Sequence, residues 1–585
     1  MMNRHSFAIS LAVALLLTAG MGWLLLRPSL EDGSTNAQAS LPHIPPNPPP
    51  VADEDWPLAL ETLVKTFPDG RRVAFERPSP SGAETGEALA NVHCSVCHQK
   101  PTPDLLPKIG WIDLFLMKRR FFPAINMLDI EPQPLERFLV EQTATLGREN
   151  MWTRNRPRQA ISNGQFFRML EYYVHEAHVQ SLPQVDKPAS SAEAAPFEPR
   201  QLTELRQAGH EGFSLVAFEG DRLLLGTSRE PSILIVDPAT GQPLQRRRLP
   251  GIPVHATMQD EDLFVTMIGE DFGGVDRATG SLVRLTNVSE TRIESVDTLL
   301  ENLYRPIRIH FADLDGDGLQ RDVIVLQFGL LYGAVDWYRY TPTGTLEFRE
   351  RLIDAAGVVG VHMDDINGNG RSDILVLMSQ ADQSLYLFHN LGDGRLQKER
   401  VFQELPVFGF NSLTVADING NGHLDVITTN GDNGDLLMST PLRNYHGVRV
   451  FLNDGKGGFH PAFFYPMYGA IQVVAEDFTG NGHMDLAAIS FFPDAQAARP
   501  ETFVFLENQG EYTSVRQLPS PVFEPKHVAQ TATKPWIAMA AGDLEGRGTM
   551  DIVLTSLELN PAAPTVARPS PNVMVLSNTS LSQPR

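Results

Sequence analysis

Five copies of one short frame recur in the second half of the chain, and they limit its fold more than any other feature. Each copy opens with an aspartate, has glycine at its fourth and sixth positions, and closes with an aspartate before an apolar, β-prone run. The copies begin at residues 313, 365, 417, 477 and 543, which lie 52, 52, 60 and 66 residues apart. A repeat of this length suits about four short strands, the size of one propeller blade. An all-β propeller is therefore predicted over residues 201–585.

The residue types of the frame are those of a calcium loop. Side-chain oxygens at the first, third and fifth positions, a backbone carbonyl at the seventh and a carboxylate at the ninth can surround one Ca²⁺. The frames resemble the calcium loops of FG-GAP/VCBS and integrin-type propellers, although metal-free Asx turns are the alternative. The predicted ligands are Asp313, Asp315, Asp317 and Asp322; Asp365, Asn367, Asn369, Arg371 and Asp373; Asp417, Asn419, Asn421, His423 and Asp425; and Asp477, Thr479, Asn481, His483 and Asp485.

Three to four bound Ca²⁺ ions are expected from these frames. The frame at 313 has one residue inserted before its closing carboxylate, and it is counted as the fourth site. In the frame at 543, Arg547 stands where an oxygen ligand belongs, so the occupancy of that loop stays open. Upstream, the segments 237–241 and 276–280 are typical of hairpin turns in two metal-free blades. The expected total is seven blades, closed by the C-terminal strand pairing near residue 205.

Cysteine usage predicts a cofactor. The chain has two cysteines, and both lie in Cys94-Ser95-Val96-Cys97-His98, the C-x-x-C-H pattern of c-type haem attachment. The two sulfurs would bind the haem vinyl groups, and His98 would bind the iron. A zinc site would need two further ligands at matched spacing, and a thioredoxin-type pair would need a βαβ setting; neither is visible. One covalent haem c is therefore predicted.

The residues around this motif, 80–183, predict a small all-α domain. A helix leads into Cys94, prolines then break the chain, and a last helix covers about residues 163–177. The segment resembles class I cytochromes c and the haem domains that accompany FG-GAP/VCBS repeats. That resemblance implies a methionine as sixth iron ligand and favours Met117. The rival ligands are Met127, Met151, Met169, His175 and His178.

The N-terminal region predicts export. Residues 7–26 carry no charge and are long enough to cross a bilayer, so residues 1–27 are expected to form an uncleaved signal-anchor helix. The alternative is signal cleavage after residues 37–39 and secretion. Residues 28–79 form a Pro-rich spacer and 184–200 a second linker. The predicted fold class is therefore multidomain: a membrane helix, a small all-α cytochrome c-like domain and an all-β propeller, held outside the cytoplasm.

Two functions remain after composition has excluded others. A formal charge of −22 and a pI near 5.2 argue against nucleic acid. No common catalytic motif is found, so an enzyme is not favoured. One hypothesis is an electron-transfer protein whose propeller docks a redox partner or small substrate. The alternative is an extracytoplasmic binding or adhesion protein for carbohydrate or protein, with a sensory or accessory haem. A quinoprotein-like dehydrogenase is a third option without supporting residues.

Overall fold

The computed structural model describes the propeller almost completely and the N-terminal part only in segments. The described residues are 62–66, 72–76, 85–94, 99–118, 163–179, 181–188, 195–202, 205, 212–219, 222–269, 277–289, 292–329, 332–380, 382–433, 441–494, 496–557 and 572–580. The predicted signal-anchor helix over residues 1–27 lies outside these ranges.

Seven four-stranded antiparallel sheets form the blades of the propeller. Blade 1 contains β4 (Phe213–Glu219), β5 (Arg222–Thr227), β6 (Ser232–Val236) and β7 (Pro243–Arg248). Blade 2 contains β8 (Pro253–Gln259), β9 (Asp262–Met267), β10 (Gly280–Leu285) and β11 (Val296–Leu303). Blade 3 contains β12 (Pro306–Ala312), β13 (Asp322–Gln327), β14 (Ala334–Tyr340) and β15 (Leu346–Ile353). Blade 4 contains β16 (Val358–Asp364), β17 (Asp373–Met378), β18 (Ser384–Asn390) and β19 (Leu396–Gln403).

The remaining three blades complete the ring. Blade 5 contains β20 (Phe410–Ala416), β21 (Asp425–Asn430), β22 (Gly447–Asn453) and β23 (Phe459–Pro466). Blade 6 contains β24 (Ala470–Glu476), β25 (Asp485–Ser490), β26 (Phe503–Val515) and β27 (Leu518–Lys526). Blade 7 contains β28 (Ala538–Gly542), β29 (Asp551–Thr555), β30 (Val573–Asn578) and β3 (Phe197–Gln201). The predicted count of seven blades is confirmed.

Blade 7 closes the ring by combining strands from the two ends of the propeller. Its outermost strand β3 precedes blade 1 in the chain and pairs with β30, so that Phe197 lies opposite Asn578 and Gln201 opposite Met574. Pro199 is tolerated in β3 because an edge strand does not need every backbone N–H. The C-terminal strand closes the ring as predicted, although its partner, Phe197–Gln201, lies before residue 205 and largely within the segment 184–200 that was predicted as a linker.

Burial explains why the apolar runs after each frame become second strands. Every residue of β13, β17, β21 and β25 is buried, because each of these strands lies inside its sheet and both of its faces pack on neighbouring sheets. The apolar clusters between sheets are shared by adjacent blades, such as the one joining Ile324 of blade 3 to Val376 of blade 4. Since a blade alone cannot cover both faces, the ring stabilises all seven blades together.

Three α-helices and one hairpin are described before the propeller. The hairpin consists of β1 (Thr62–Thr66) and β2 (Arg72–Glu76), within the residues predicted as a spacer. The helices are α1 (Gly86–His93), α2 (Lys108–Lys118) and α3 (Asn163–Glu176), and a 3₁₀ turn covers Pro103–Leu105. Thr85 caps α1 through its hydroxyl, which accepts a hydrogen bond from the backbone N–H of Ala88 at 3.1 Å.

The predicted fold class is wrong in its N-terminal part. The described structure is mostly a seven-bladed propeller, and its three helices do not make an all-α cytochrome c-like domain. Among the described residues, no helix is long and apolar enough to cross a membrane. The helices have 8, 11 and 14 residues and share one apolar cluster. Leu105 packs on this cluster and also on the core of blades 4 and 5, so the helices are an attachment to the propeller.

Candidate metal-binding loops and haem-attachment segment

The five frames form equivalent loops at one end of the ring. Each loop connects the innermost strand of a blade to its second strand, over residues 313–321, 365–372, 417–424, 477–484 and 543–550. The glycines at the fourth and sixth positions all have positive φ, for example +74° at Gly368 and +80° at Gly370. Only glycine adopts this conformation without strain, which explains its recurrence in the frame.

Within the loops of blades 4, 5 and 6, side-chain oxygens shape the backbone. In blade 4, Asp365 accepts hydrogen bonds from the backbone N–H groups of Asn369 at 2.8 Å and Gly370 at 2.7 Å. The fifth-position Asn369 accepts from the N–H of Arg371 at 2.9 Å. The same contacts recur from Asp417 and Asp477 in the next two blades. The first and fifth side chains therefore bend around the inside of each loop, where a cation would lie. The third side chain does so in blades 4 and 5, whereas the Thr479 hydroxyl of blade 6 donates to Asp485 at 3.1 Å.

The ninth-position aspartates Asp373, Asp425 and Asp485 begin the second strands and are fully buried. Burial raises the pKa of Asp425 and of Asp485 to about 7, because little protein charge offsets the loss of water. Oδ2 of Asp373 is buried and has no hydrogen-bond partner among the described residues. A hard divalent cation would satisfy this oxygen of Asp373, whereas both oxygens of Asp425 and of Asp485 already accept backbone N–H bonds. The oxygen-rich side chains of these three loops are of the type that binds Ca²⁺.

The loop of blade 3 already contains a cationic side chain. Asp313, Asp315 and Asp317 have ligand oxygens within 4.8 Å of one another. However, the guanidinium of Arg339, on β14, contacts Asp315 and Asp317 and lies 3.2 Å from Oδ1 of Asp322. Arg321 also lies 2.6 Å from Oδ2 of Asp317. The two arginines would compete with a cation for these carboxylates, and the calcium site of this loop stays a prediction. The loop of blade 7 is similar, since Arg547 lies 3.2 Å from both Glu545 and Asp551.

Comparison with known proteins supports this description of the loops. Residues 313–376 and 365–428 match the family model described as FG-GAP-like repeat. The chain carries FG-GAP-like repeats. No curated protein matches the chain. Similar solved structures include the N-terminal domain of Nup159, with 12% identity over 68% of this chain and 98% of that one and a TM-score of 0.34. The designed protein Ika8 has 11% identity over 64% and 95%, with a TM-score of 0.33. Neither structural similarity is strong enough to indicate function.

A buried asparagine links successive FG-GAP-like repeats. Asn453 ends the third strand of blade 5, and its side-chain NH₂ donates to the carbonyl of Leu424 in its own loop at 3.0 Å. The same NH₂ donates to the carbonyl of Ile366 in the preceding loop at 3.2 Å. Asn390, Asn508 and Asn578 make the equivalent pairs of contacts. Each asparagine therefore joins two neighbouring loops, and we call these four residues the asparagine links.

The signal for these links was present in the sequence but was not used. Each asparagine stands two residues before a Gly or Ser whose backbone N–H it accepts, as Asn453 does from Gly455 at 2.9 Å. Its own N–H donates to the buried ninth-position aspartate, which is Asp425 in blade 5, at 2.8 Å. An asparagine followed by such a glycine is also typical of a hairpin turn, and a hairpin explains the glycine but not the contact with the previous blade.

Replacing Arg339 tests whether this arginine keeps Ca²⁺ out of the blade 3 loop. In Arg339→Gln the carboxylates of Asp315 and Asp322 lose their positive partner and Asp317 keeps only Arg321, so we expect the number of bound Ca²⁺ ions to rise from three to four. Isothermal titration calorimetry of the chelated protein measures the stoichiometry. Arg349→Gln, an exposed change on β15, should leave it at three. An unchanged stoichiometry in Arg339→Gln would contradict the exclusion.

Only part of the predicted haem site is described. Cys94 follows α1, with its backbone N–H donating to the carbonyl of Ala90 at 2.9 Å, and it packs against the apolar cluster of the helices. Burial raises the pKa of the Cys94 thiol to about 11, so the sulfur remains protonated at neutral pH. Cys97 and His98 lie outside the described residues. Met117 belongs to α2, but its side chain also lies outside them.

The rival iron ligands have different surroundings. Met169 is completely buried in the helical core, which is the setting of a packing residue. His178 is buried, whereas His175 is exposed and its ring lies 3.0 Å from the Glu176 carboxylate. Met127 and Met151 lie outside the described residues. Of these side chains, Met169 shares the apolar cluster of the helices with Cys94.

Proposed function

We propose that this protein is an extracytoplasmic binding protein whose propeller is made rigid by Ca²⁺. The observation that carries the proposal is the connected row of FG-GAP-like loops in blades 4 to 6. Each loop places oxygen donors around an interior point, and the asparagine links join it to the next loop. Ca²⁺ bound in one loop would therefore hold two adjacent blades. A rigid ring of this kind supports binding of a carbohydrate or protein ligand on its surface.

Binding of the full chain to a glycan array in Ca²⁺ and in EGTA tests this function. We expect retention on a defined group of glycans in Ca²⁺ and its loss in EGTA. Asp417→Ala, which removes a first-position ligand, should weaken retention, whereas the exposed Asp393→Asn should not; the Asp393 side chain is 94% exposed. If the calcium-loaded chain is retained by no glycan and by no immobilised protein partner, the proposed function is wrong.

A second candidate function is electron transfer by a covalently attached haem c. The observation in its favour is the position of Cys94, beside an aromatic group in which the rings of Trp111 and Tyr173 lie 4.2 Å apart. In this proposal Cys94 and Cys97 hold the haem and His98 binds its iron, with Met117 as the proposed sixth ligand. The bound group would supply a one-electron redox centre. The apolar side chains around Cys94 would exclude water from its edge.

The helices that would carry this group are attached to blades 4 and 5. The hydroxyl of Tyr445 donates to the carbonyl of Leu105 at 3.3 Å, and the Gln99 amide donates to the Gln403 side chain at 3.0 Å. Gln184 donates to the carbonyl of Leu442 at 3.3 Å. A redox partner bound to this side of the propeller would therefore lie close to the proposed haem.

Expression with the haem-attachment machinery tests the haem proposal. The wild-type chain is expected to retain one haem after denaturation and acid-acetone extraction, measured by the pyridine haemochrome spectrum. Cys94→Ala and Cys97→Ala should each retain less than about a tenth of that haem, because one thioether is lost and processing fails. Met117→Ala should keep the covalent haem and change only the spectrum of the iron. A wild-type chain that releases all its haem on extraction would exclude covalent attachment.

A further inference from the structure

The innermost strands of blades 2, 3 and 4 place four nitrogen-bearing side chains toward the axis of the ring. In each of these strands the side chain of the fourth residue is buried between sheets. The side chains of the third and fifth residues lie on the opposite face of the strand. The buried fourth residues are Ala256, Ile309 and Val361. The part-exposed third or fifth residues are His255, Arg308, His310 and His362, which we call the channel cluster.

Three imidazole nitrogens of the channel cluster have no hydrogen-bond partner among the described residues. Nδ1 of His255, Nε2 of His310 and Nε2 of His362 are each buried without a hydrogen-bond partner among the described residues. The rings of His255 and His310 are stacked, with centroids 6.3 Å apart and an angle of 30° between the planes. His362 Nε2 faces the Asp364 carboxylate at 3.8 Å, which leaves one nitrogen of His255 and one of His310 as unpaired groups, although buried polar groups normally have partners.

Arg308 supplies the charge of the cluster. Within the described part of the chain, it forms no ion pair with any carboxylate, although the protein has a net charge of −22. Burial lowers the pKa of Arg308, of His255 and of His362, and that of His310 to about 3. The imidazoles are therefore neutral, and each can turn one N–H toward a ligand, while the guanidinium remains charged.

The carboxylates of the channel lie farther along the strands. Asp364 is two residues beyond His362, and its Oδ2 lies 3.8 Å from Nε2 of that histidine. Glu219 of β4 accepts hydrogen bonds from Thr257 and Met258, and burial raises its pKa. Both acids end their strands on the side of the metal loops. Among the residues that the structure describes, no carboxylate forms an ion pair with His255, Arg308 or His310.

This combination favours an anion over a metal. A metal ion would be repelled by Arg308, and the imidazole nitrogens do not converge. Across the described residues, the one group of three or more histidine, cysteine or acidic side chains with ligand atoms within 4.8 Å is that of Asp313, Asp315 and Asp317. An oxyanion, in contrast, would accept two N–H bonds from the planar guanidinium and further bonds from the imidazoles.

We propose that the central channel binds an oxyanion, the carboxylate or phosphate group of a small ligand, through Arg308 with His255 and His310 as additional donors. This inference rests on the proposed binding function and names the chemical group that the propeller recognises. His362 borders the site on the side of blade 4.

Calorimetry of the full chain, loaded with Ca²⁺ and freed of excess ion, tests the site. Inorganic phosphate and succinate serve as separate probes. The probe that binds with the higher affinity shows whether the site prefers a phosphate or a carboxylate group. We expect saturable binding of at least one probe with a stoichiometry of one. Arg308→Gln should weaken it at least about tenfold, because a charge-assisted hydrogen bond is lost. Arg248→Gln, which removes a charge from a side chain that is 76% exposed, should leave the affinity unchanged.

His255→Phe provides a second variant that keeps the ring stack and removes one donor, and several-fold weaker binding is expected. Calcium stoichiometry is measured on the same samples and shows whether each variant is folded. If the wild type binds Ca²⁺ but neither probe, or if Arg308→Gln binds a probe as tightly as the wild type, the channel site is wrong and the binding function still stands. If the wild type bound no Ca²⁺, this result would instead contradict the proposed function itself.

Discussion

Removal of Ca²⁺ is expected to lower the free energy of unfolding by roughly 8 kcal/mol. The two conditions compared are Ca²⁺ at a hundred times its Kd and EGTA without added Ca²⁺. A ligand that binds only the folded state contributes about 2.7 kcal/mol per site at that concentration, and three sites are proposed. The physical cause is the set of buried closing aspartates, Asp373, Asp425 and Asp485, which lack a cation when the metal is removed. Urea unfolding followed by tryptophan fluorescence measures the difference.

Single-site variants separate the metal from general charge effects. Asp417→Ala should remove about a third of the calcium-dependent stability, because one of three proposed sites is lost. Asp393→Asn removes a carboxylate from an exposed hairpin and should leave the calcium dependence unchanged. Equal stability of the wild type in Ca²⁺ and in EGTA would show that the loops are metal-free turns.

The propeller could be predicted from the sequence because its determinants are local. Each frame combines glycines that need positive φ with an apolar run that becomes a fully buried second strand, as at Gly420 and Asp425–Asn430. The hairpin at Asp237 was equally clear, since this side chain accepts from the N–H groups of Ala239 and Thr240. Five repeats of one local pattern, preceded by two hairpin signals, leave few architectures, and the ring closes because a single blade cannot cover both of its faces.

The partner of the blade 3 carboxylates could not be predicted in this way. Arg339 lies 24 residues beyond Asp315 in the chain and reaches it only because β14 pairs with β13 in register, with Asp322 opposite Arg339. In blades 4 and 6 the corresponding positions hold His389 and Glu507, which carry no comparable charge toward the loop. The frame alone shows the oxygen donors, but the presence of a competing cation depends on the pairing of two strands.

The N-terminal error has a different cause. The C-x-x-C-H motif specifies how a haem would be attached, and it does not specify how many helices surround it. Periodicity over residues 163–177 correctly indicated α3, which is Asn163–Glu176. The extension to a complete all-α domain came from resemblance. The described residues instead contain three helices, whose core is continuous with that of blades 4 and 5 through Leu105.

Replacing Asn453 is expected to destabilise the protein by about 3 kcal/mol even when Ca²⁺ is saturating. In Asn453→Ala the carbonyls of Ile366 and Leu424 lose their side-chain donor, and the N–H of Gly455 loses its acceptor. Asn453 is fully buried, so water cannot replace these bonds without opening the interface between blades 4 and 5. Unsatisfied buried groups cost about 1 to 3 kcal/mol each, and partial relaxation reduces the sum.

Asn453→Asp makes this test specific to the link. The aspartate keeps the size and the acceptor oxygen but loses both donors, and it adds a charge close to Asp425. We therefore expect it to be at least as destabilising as the alanine, whereas Gln397→Ala, an exposed amide on β19, should change stability by less than about 0.5 kcal/mol. Asn453 joins the loops at 365 and 417. In both Asn453 variants, the Ca²⁺ ions of these two loops should therefore bind independently of each other. Wild-type stability in Asn453→Asp would show that the two carbonyls do not depend on this side chain.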